Sequence, residues 1–311
     1  MHYNFTKQNF SMVDIQNEYE QIKNDYDDFL NEVKRTVEKL LKRHQIPIAF
    51  GINGRRKDLV SIQEKAQRFT IKKTICELND IVGLRIVLLF PEFKQNVIDL
   101  LCREFKLLND PNKTQQLPDK FGYSSIHLIL GIKDEWLKSP DWEGHADKKI
   151  EVQIRTVSEH VWAETSHSLF YKREENIPNI ITRDLYRLAA LLEVVDEKLQ
   201  NIKGQVEHHF KHIRECSYEE ILKMDLNSET FRRVMMENSK DIYSFNDLQN
   251  KELSSRIEHD YNILNIDMLD NLITEKIDLN NIDSDEYIRK VIEILEEYKN
   301  GIDTLEKEKV K

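Results

Sequence analysis

Residues 150–160 read IEVQIRTVSEH, and the first six of these positions alternate. Ile150, Val152 and Ile154 fall on one side, Glu151, Gln153 and Arg155 on the other. A period of two is what a half-buried strand requires, because successive side chains leave opposite faces of the pleat. The stretch must therefore put one face in a core and line up an acid, an amide and a guanidinium on the other. A solvent-facing edge is the plain reading of such a row and a chemical site the sharper one. The segments around it decide between them.

Upstream, IPIAFGING reads as a short strand ending in a glycine turn, DIVGLRIVLLF as a strongly apolar strand and YSSIHLILGI as another. Between them KDLVSIQEKAQRFT and PEFKQNVIDLLCREF have helical patterning, the second with Pro91 near its first turn. KDEWLKSPDWEGHADKK is a turn-rich connection into the alternating strand, and VSEHVWAETSHSLFYK is the helix that leaves it. Strands alternating with helices predict an α+β or α/β domain built on a mixed sheet. Ahead of it, Tyr19, Ile22, Tyr26, Phe29, Val33, Val37 and Leu40 recur at helical spacing across residues 11–45, with Pro47 closing the run. From about Ile181 the pattern is helical almost throughout, with EKIDLNNIDSDE as a loop between helices. The expected plan is an N-terminal helix over 1–45, a mixed-sheet domain over 46–205 and a helical extension over 206–311.

Composition bears on where such a chain works. With 40% apolar residues and only 8 Gly and 6 Pro in 311, it can bury a real core and favours helix. It contains no apolar run of membrane-spanning length, and its start lacks the basic-then-apolar plan of a signal peptide, so a cytoplasmic protein is expected. Cys76, Cys102 and Cys216 lack metal spacing and read as reduced thiols. The net charge of -10 is unevenly spread. Residues up to Lys172 hold 26 Lys and Arg against 25 Asp and Glu, and the rest hold 20 against 31. The front half is free to concentrate positive charge around phosphates, while the acidic back half suits a solvated scaffold or a basic partner.

Three further stretches carry chemistry-bearing residues. In GRRKDLVSIQEK, Lys57, Ser61 and Lys65 are spaced by four, and Arg55 stands just ahead. On one helical face these make a cradle for a polyphosphate, although a solvated basic face is the plainer reading of the stretch alone. It is not a Walker loop, which needs Gly-Lys-Ser/Thr after a glycine-rich turn. In NDIVGLRI, Asp80 opens an apolar strand that Arg85 interrupts. Beside Glu151 on a neighbouring strand, Asp80 would complete a pair of carboxylates suited to magnesium, or else it is an ordinary strand-entry aspartate. In DKFGYSSIH, Tyr123, Ser125 and His127 would share one strand face, offering an aromatic plane and two hydrogen-bonding groups to a base.

Taken together and in order, GRRKDLVSIQEK, DIVGLRI, FGYSSIH and EVQIRTVSEHVWAETSHSLFYK resemble the synthetase domain of the RelA/SpoT family, over roughly residues 45 to 200. The last motif looks closest to the small single-function synthetases, toxin-like members included. The resemblance implies a nucleotidyltransferase-like α+β fold that moves the β,γ-pyrophosphate of ATP onto the ribose 3′-hydroxyl of GDP or GTP, making (p)ppGpp and releasing AMP with Mg2+. It implies Glu151 and Asp80 as catalytic and metal-binding residues. It further implies Arg55, Lys57, Ser61, Lys65 and Arg85 as the ATP site, and Tyr123, His127, Gln153, Arg155 and His160 as the acceptor site.

The chain also departs from the family pattern. Fewer than 55 residues precede the first motif, too few for the family's hydrolase domain, so no alarmone hydrolysis is expected. Phe121 stands where the family has an Asn, and Asp119 where a Lys often sits. Transfer RNA is therefore a second acceptor to weigh, with Lys72, Lys73, Lys113, Lys120, Lys148 and Lys149 as the basic surface it would need. A third reading is a catalytically inactive nucleotide-sensing module. The acidic helices of 206–311 would then, or besides, serve homo-oligomerisation or intramolecular regulation. His208, His209 and His212 read as a polar helix face.

Overall fold

Helix α1, Met12–Arg43, supplies the long apolar stripe that the sequence predicts. Ile15, Tyr19, Tyr26, Phe29, Leu30, Val33, Val37 and Leu40 lie buried along it, at the spacing that keeps one helical face inward. The computed structural model describes residues 12–69, 73–109, 125–170, 178–239, 244, 246–274, 276–278 and 282–309. The chain divides into two compact units, Met1–Asn201 and Ile202–Lys311.

The first unit holds a five-stranded sheet made of β1 (Asn53–Arg56), β2 (Val82–Leu88), β3 (Lys106–Leu107), β4 (Ile126–Gly131) and β5 (Lys149–Thr156), in the order β1-β2-β5-β4-β3. β2 and β5 run parallel and every other neighbouring pair runs antiparallel, which is the mixed sheet that the alternation of elements implies. The expectation of strands divided by helices is met by α2 (Leu59–Phe69), α3 (Phe93–Glu104) and α4 (Val157–Phe170). Val82, Leu84, Ile86, Ile150, Val152 and Ile154 join Phe29, Val33 and Leu101 in one core. The turn-rich connection before β5 folds into two short 3-10 turns, Trp136–Lys138 and Pro140–Trp142, and stacks Trp136 between Phe105 and Trp142, each ring 5.4 Å away.

Two local expectations need correction, and one strand was not expected. IPIAFGING is not a strand: it touches β2 through one bridge, Ile48 to Leu88, and regular pairing begins only at Asn53 opposite Arg85. The two registers differ by two residues, so the chain around Gly51 bulges away from the ladder. Helix α2 starts at Leu59, leaving Lys57 ahead of it, because the Asp58 carboxylate accepts from the Ser61 N–H at 2.7 Å and starts the helix there. The two-residue strand β3 carries too few residues for any periodic signal.

The second unit takes its core from the C-terminal part of α5 (Asn179–Glu215) with α6 (Tyr218–Ile221), α7 (Ser228–Ser239), α8 (Asp247–Tyr261), α9 (Ile266–Thr274) and α10 (Ser284–Lys309). Phe231, Val234, Ile257, Leu269, Tyr287 and Val291 are its buried centre. Asn246 and Gln249 form a capping box at the start of α8, and Asn262 closes that helix in the left-handed conformation at φ 54°. Among the described residues no helix is long and apolar enough to cross a membrane.

Candidate active site

The parallel pairing of β2 with β5 brings the two sequence-distant acids together. Gly83 stands opposite Glu151, and Arg85 opposite Gln153, while Asp80 lies just before β2 begins. Asp80, Glu151, Arg85 and Gln153 all line one open cleft of about 230 Å³, with Asn53 and Arg55 of β1, Lys57, Gly83, Leu84 and Glu164 of α4. Gly83 lets the β2 backbone form part of the wall without a side chain filling it.

Asp80 is buried, 6% exposed, and its Oδ2 accepts from Lys57 Nζ at 2.7 Å and from Lys65 Nζ. Its Oδ1 is also buried and has no hydrogen-bond partner among the described residues. Among the ATP-site residues that the resemblance implies, Arg55, Lys57 and Arg85 line the cleft and Lys65 reaches it through Asp80. Ser61 is half-buried on the first turn of α2 and is not part of the lining among the described residues.

Glu151 is held by two neighbours. His127 of β4 donates from Nδ1 to Oε1 at 2.9 Å, and Gln153 donates from Nε2 to Oε2 at 2.8 Å. The other ring nitrogen of His127 faces the Ser125 hydroxyl at 2.5 Å. Burial alone would push the Glu151 carboxyl up, but the hydrogen bond and charge of His127, the Gln153 amide and nearby Lys57 outweigh it and carry the group down to about 2. Arg155 extends the row by donating to Gln153 Oε1 at 2.9 Å. The polar face seen in the sequence is thus a hydrogen-bonded chain from Arg155 through Gln153 to Glu151.

Arg155 is buried, 7% exposed, with Nε and Nη1 lacking hydrogen-bond partners among the described residues. Burial, then Arg85, lowers its affinity for protons. Burial also lowers His160, followed by Arg85, and the ring of His160 lies 6.3 Å from exposed Phe50. Tyr123, with Phe121, Asp119, Lys72, Lys113 and Lys120, lies outside the described residues. Lys148 is not the surface cation expected. It is buried, with Nζ on Asp25 Oδ2 at 2.8 Å and His145 Nδ1 at 2.8 Å.

Two features of α4 went unremarked in the sequence. Thr156 and Glu159 make a capping box: Thr156 N donates to Glu159 Oε2 at 2.8 Å and Glu159 N donates to Thr156 Oγ1 at 3.1 Å. The signal was legible as Thr-x-x-Glu at the end of an apolar run. Glu164 carries no such signal, yet it lines the cleft and holds Arg85 Nη1 at 2.7 Å.

A mixed sheet flanked by helices, with its acids and cations gathered at one cleft, is a nucleotidyltransferase-like α+β domain. Residues 54–176 match the family model described as a region found in RelA / SpoT proteins. GTP pyrophosphokinase YjbM of Bacillus subtilis is 34% identical over 164 residues, which are 52% of this chain and 74% of that protein. GTP pyrophosphokinase YwaC of the same organism is 30% identical over 159 residues, 50% of this chain and 73% of that protein. The crystal structure of small alarmone synthetase 1 from Bacillus subtilis bound to its product pppGpp superposes with a TM-score of 0.52 at 30% identity, covering 61% of this chain and 99% of that one. The chain belongs to the RelA/SpoT family.

Proposed function

We propose that the domain over residues 46–205 is a magnesium-dependent pyrophosphokinase that makes (p)ppGpp from ATP and GDP or GTP. The observation that carries this reading is the convergence of Asp80 and Glu151 on one cleft whose other walls bear Arg55, Lys57 and Arg85. The names of the two relatives and the pppGpp-bound structure support GTP as an acceptor.

Phosphoryl transfer asks a protein for positioning and charge neutralisation more than for covalent chemistry. Here the bond formed joins the acceptor 3′-oxygen to the β-phosphorus, and the bond broken releases AMP from the α-phosphate side. Arg55, Lys57, Lys65 and Arg85 would bind the triphosphate; the two lysines already reach the cleft on flexible stems. The residues present fit a divalent cation: two carboxylates line the cleft, and one buried oxygen of Asp80 has no hydrogen-bond partner among the described residues. Asp80 and Glu151 would hold magnesium, which when bound neutralises phosphate oxygens. Glu151, kept ionised and aimed by His127 and Gln153, would receive the proton of the attacking hydroxyl. Tyr123, Gln153, Arg155 and His160 would shape the acceptor side.

Incubation with γ-labelled ATP and either GTP or deacylated transfer RNA tests the reading. Label is expected in the guanosine nucleotide. Label in the RNA alone would replace the acceptor, and label in neither would leave a nucleotide-binding module.

A further inference from the structure

The cleft's third carboxylate, Glu164, belongs to neither the acid pair nor the row on β5. It sits on α4 with Oε1 against three nitrogen groups: Arg85 Nη1 at 2.7 Å, Arg155 Nη1 at 3.6 Å and His160 Nδ1 at 3.9 Å. The partners differ sharply in freedom. The Arg155 side chain is 9% exposed and that of Arg85 22%, whereas that of Glu164 is 54% exposed on the outer side of the cleft. Arg155 is also held by Gln153, and Glu164 is the most exposed of the three side chains.

An anionic oxygen bonded to the Arg85 guanidinium at 2.7 Å, with the Arg155 guanidinium 3.6 Å away, stands where a phosphate oxygen would be drawn. A triphosphate entering the same cleft meets both the cations it needs and a negative charge already resting on them. We propose that Glu164 is an intramolecular stand-in for nucleotide phosphate: it occupies the Arg85 subsite, beside Arg155, until a phosphate displaces it, and so sets the affinity of the cleft for polyphosphates. The inference deepens the proposed function and rests on it for the identity of the ligand. The opposite role, a brace that orients Arg85 toward substrate, predicts the opposite change on neutralisation.

The test is binding of α,β-methylene ATP to the full-length protein by titration calorimetry. Neutralising one partly exposed anion beside the subsite removes competition on the order of 1 kcal/mol, or about three- to tenfold in affinity. Glu164→Gln is therefore expected to bind the analogue roughly three- to tenfold more tightly. Glu164→Asp, with the charge retained on a shorter stem, should lie between the two proteins. The KM for ATP should fall in Glu164→Gln while binding of adenosine, which carries no phosphate, stays unchanged. Unchanged or weakened analogue binding by a normally melting Glu164→Gln protein overturns the proposal, as does an equal gain for adenosine. If the wild type makes no (p)ppGpp but the Glu164→Gln gain persists, the proposed reaction fails and the role of Glu164 stands. If the wild type binds no triphosphate, both fall.

Discussion

At the scale of single residues, the proposed chemistry depends on keeping Glu151 charged in a half-buried place. Removing that charge with the isosteric Glu151→Gln should lower pyrophosphate transfer by on the order of 100-fold or more in a protein that still folds, though it melts below the wild type at pH 7 because the charge's contribution to stability is gone. Transfer at the wild-type rate would take the residue out of the mechanism. The same environment has a consequence for stability. A carboxyl that titrates near 2 in the fold and near 4.5 in the open chain contributes stability that is fully present above about pH 4.5 and lost as pH falls toward 2. Urea midpoints at pH 7 and pH 3 should therefore diverge more for the wild type than for Glu151→Gln, which has no carboxyl to protonate. An equal loss in both proteins would show that His127 and Gln153 do not hold the charge as the geometry states.

Elements decide whether those residues meet. The alternation in IEVQIRT exposed both the strand and its polar face, because a half-buried strand next to a helix start leaves a period-two signal. The apolar run of β2 and the stripe of α1 were legible for the same reason: long, regular burial writes itself into spacing. Other features were hidden for physical causes. The bulge around Gly51 and the two-residue β3 depend on pairing partners far away in sequence, not on local pattern. Glu164 looked like any helix-surface acid until α4 was set beside β2 and β5, where its neighbours are Arg85 and Arg155. The seating of α4 rests on Thr156, which is fully buried, caps the helix and donates to Asp196 Oδ2 of α5 at 2.6 Å. Thr156→Val keeps the shape and deletes both hydrogen bonds, so it should cost about 1–3 kcal/mol. In calorimetry that is a drop of about 2–10 °C in the melting of the first unit; a shift under a degree would mean that the box and its link to α5 contribute little.

At the scale of the whole molecule, charge and packing divide the chain at different places and by different physics. The charge count separates a near-neutral front from an acidic back, and packing separates a core around Phe29 from one around Phe231, with no residue common to both among the described cores. Separate cores mean that each unit should register damage by itself. Phe29 and Phe231 are both fully buried, and truncating either to alanine should cost about 3–5 kcal/mol through lost contacts and the cavity left behind. Because the two sites share no partners, the losses should add in the double variant to within about 0.5 kcal/mol. Scanning calorimetry of the full chain should show it directly: Phe29→Ala lowers one transition, Phe231→Ala the other. Pyrophosphate transfer at 25 °C should fall with Phe29→Ala, which lies on the helix packed against β1 and β2, and hold with Phe231→Ala. A single transition moved equally by either substitution would mean that the helical unit and the sheet domain fold as one cooperative body, and that the acidic extension is structurally part of the catalytic domain.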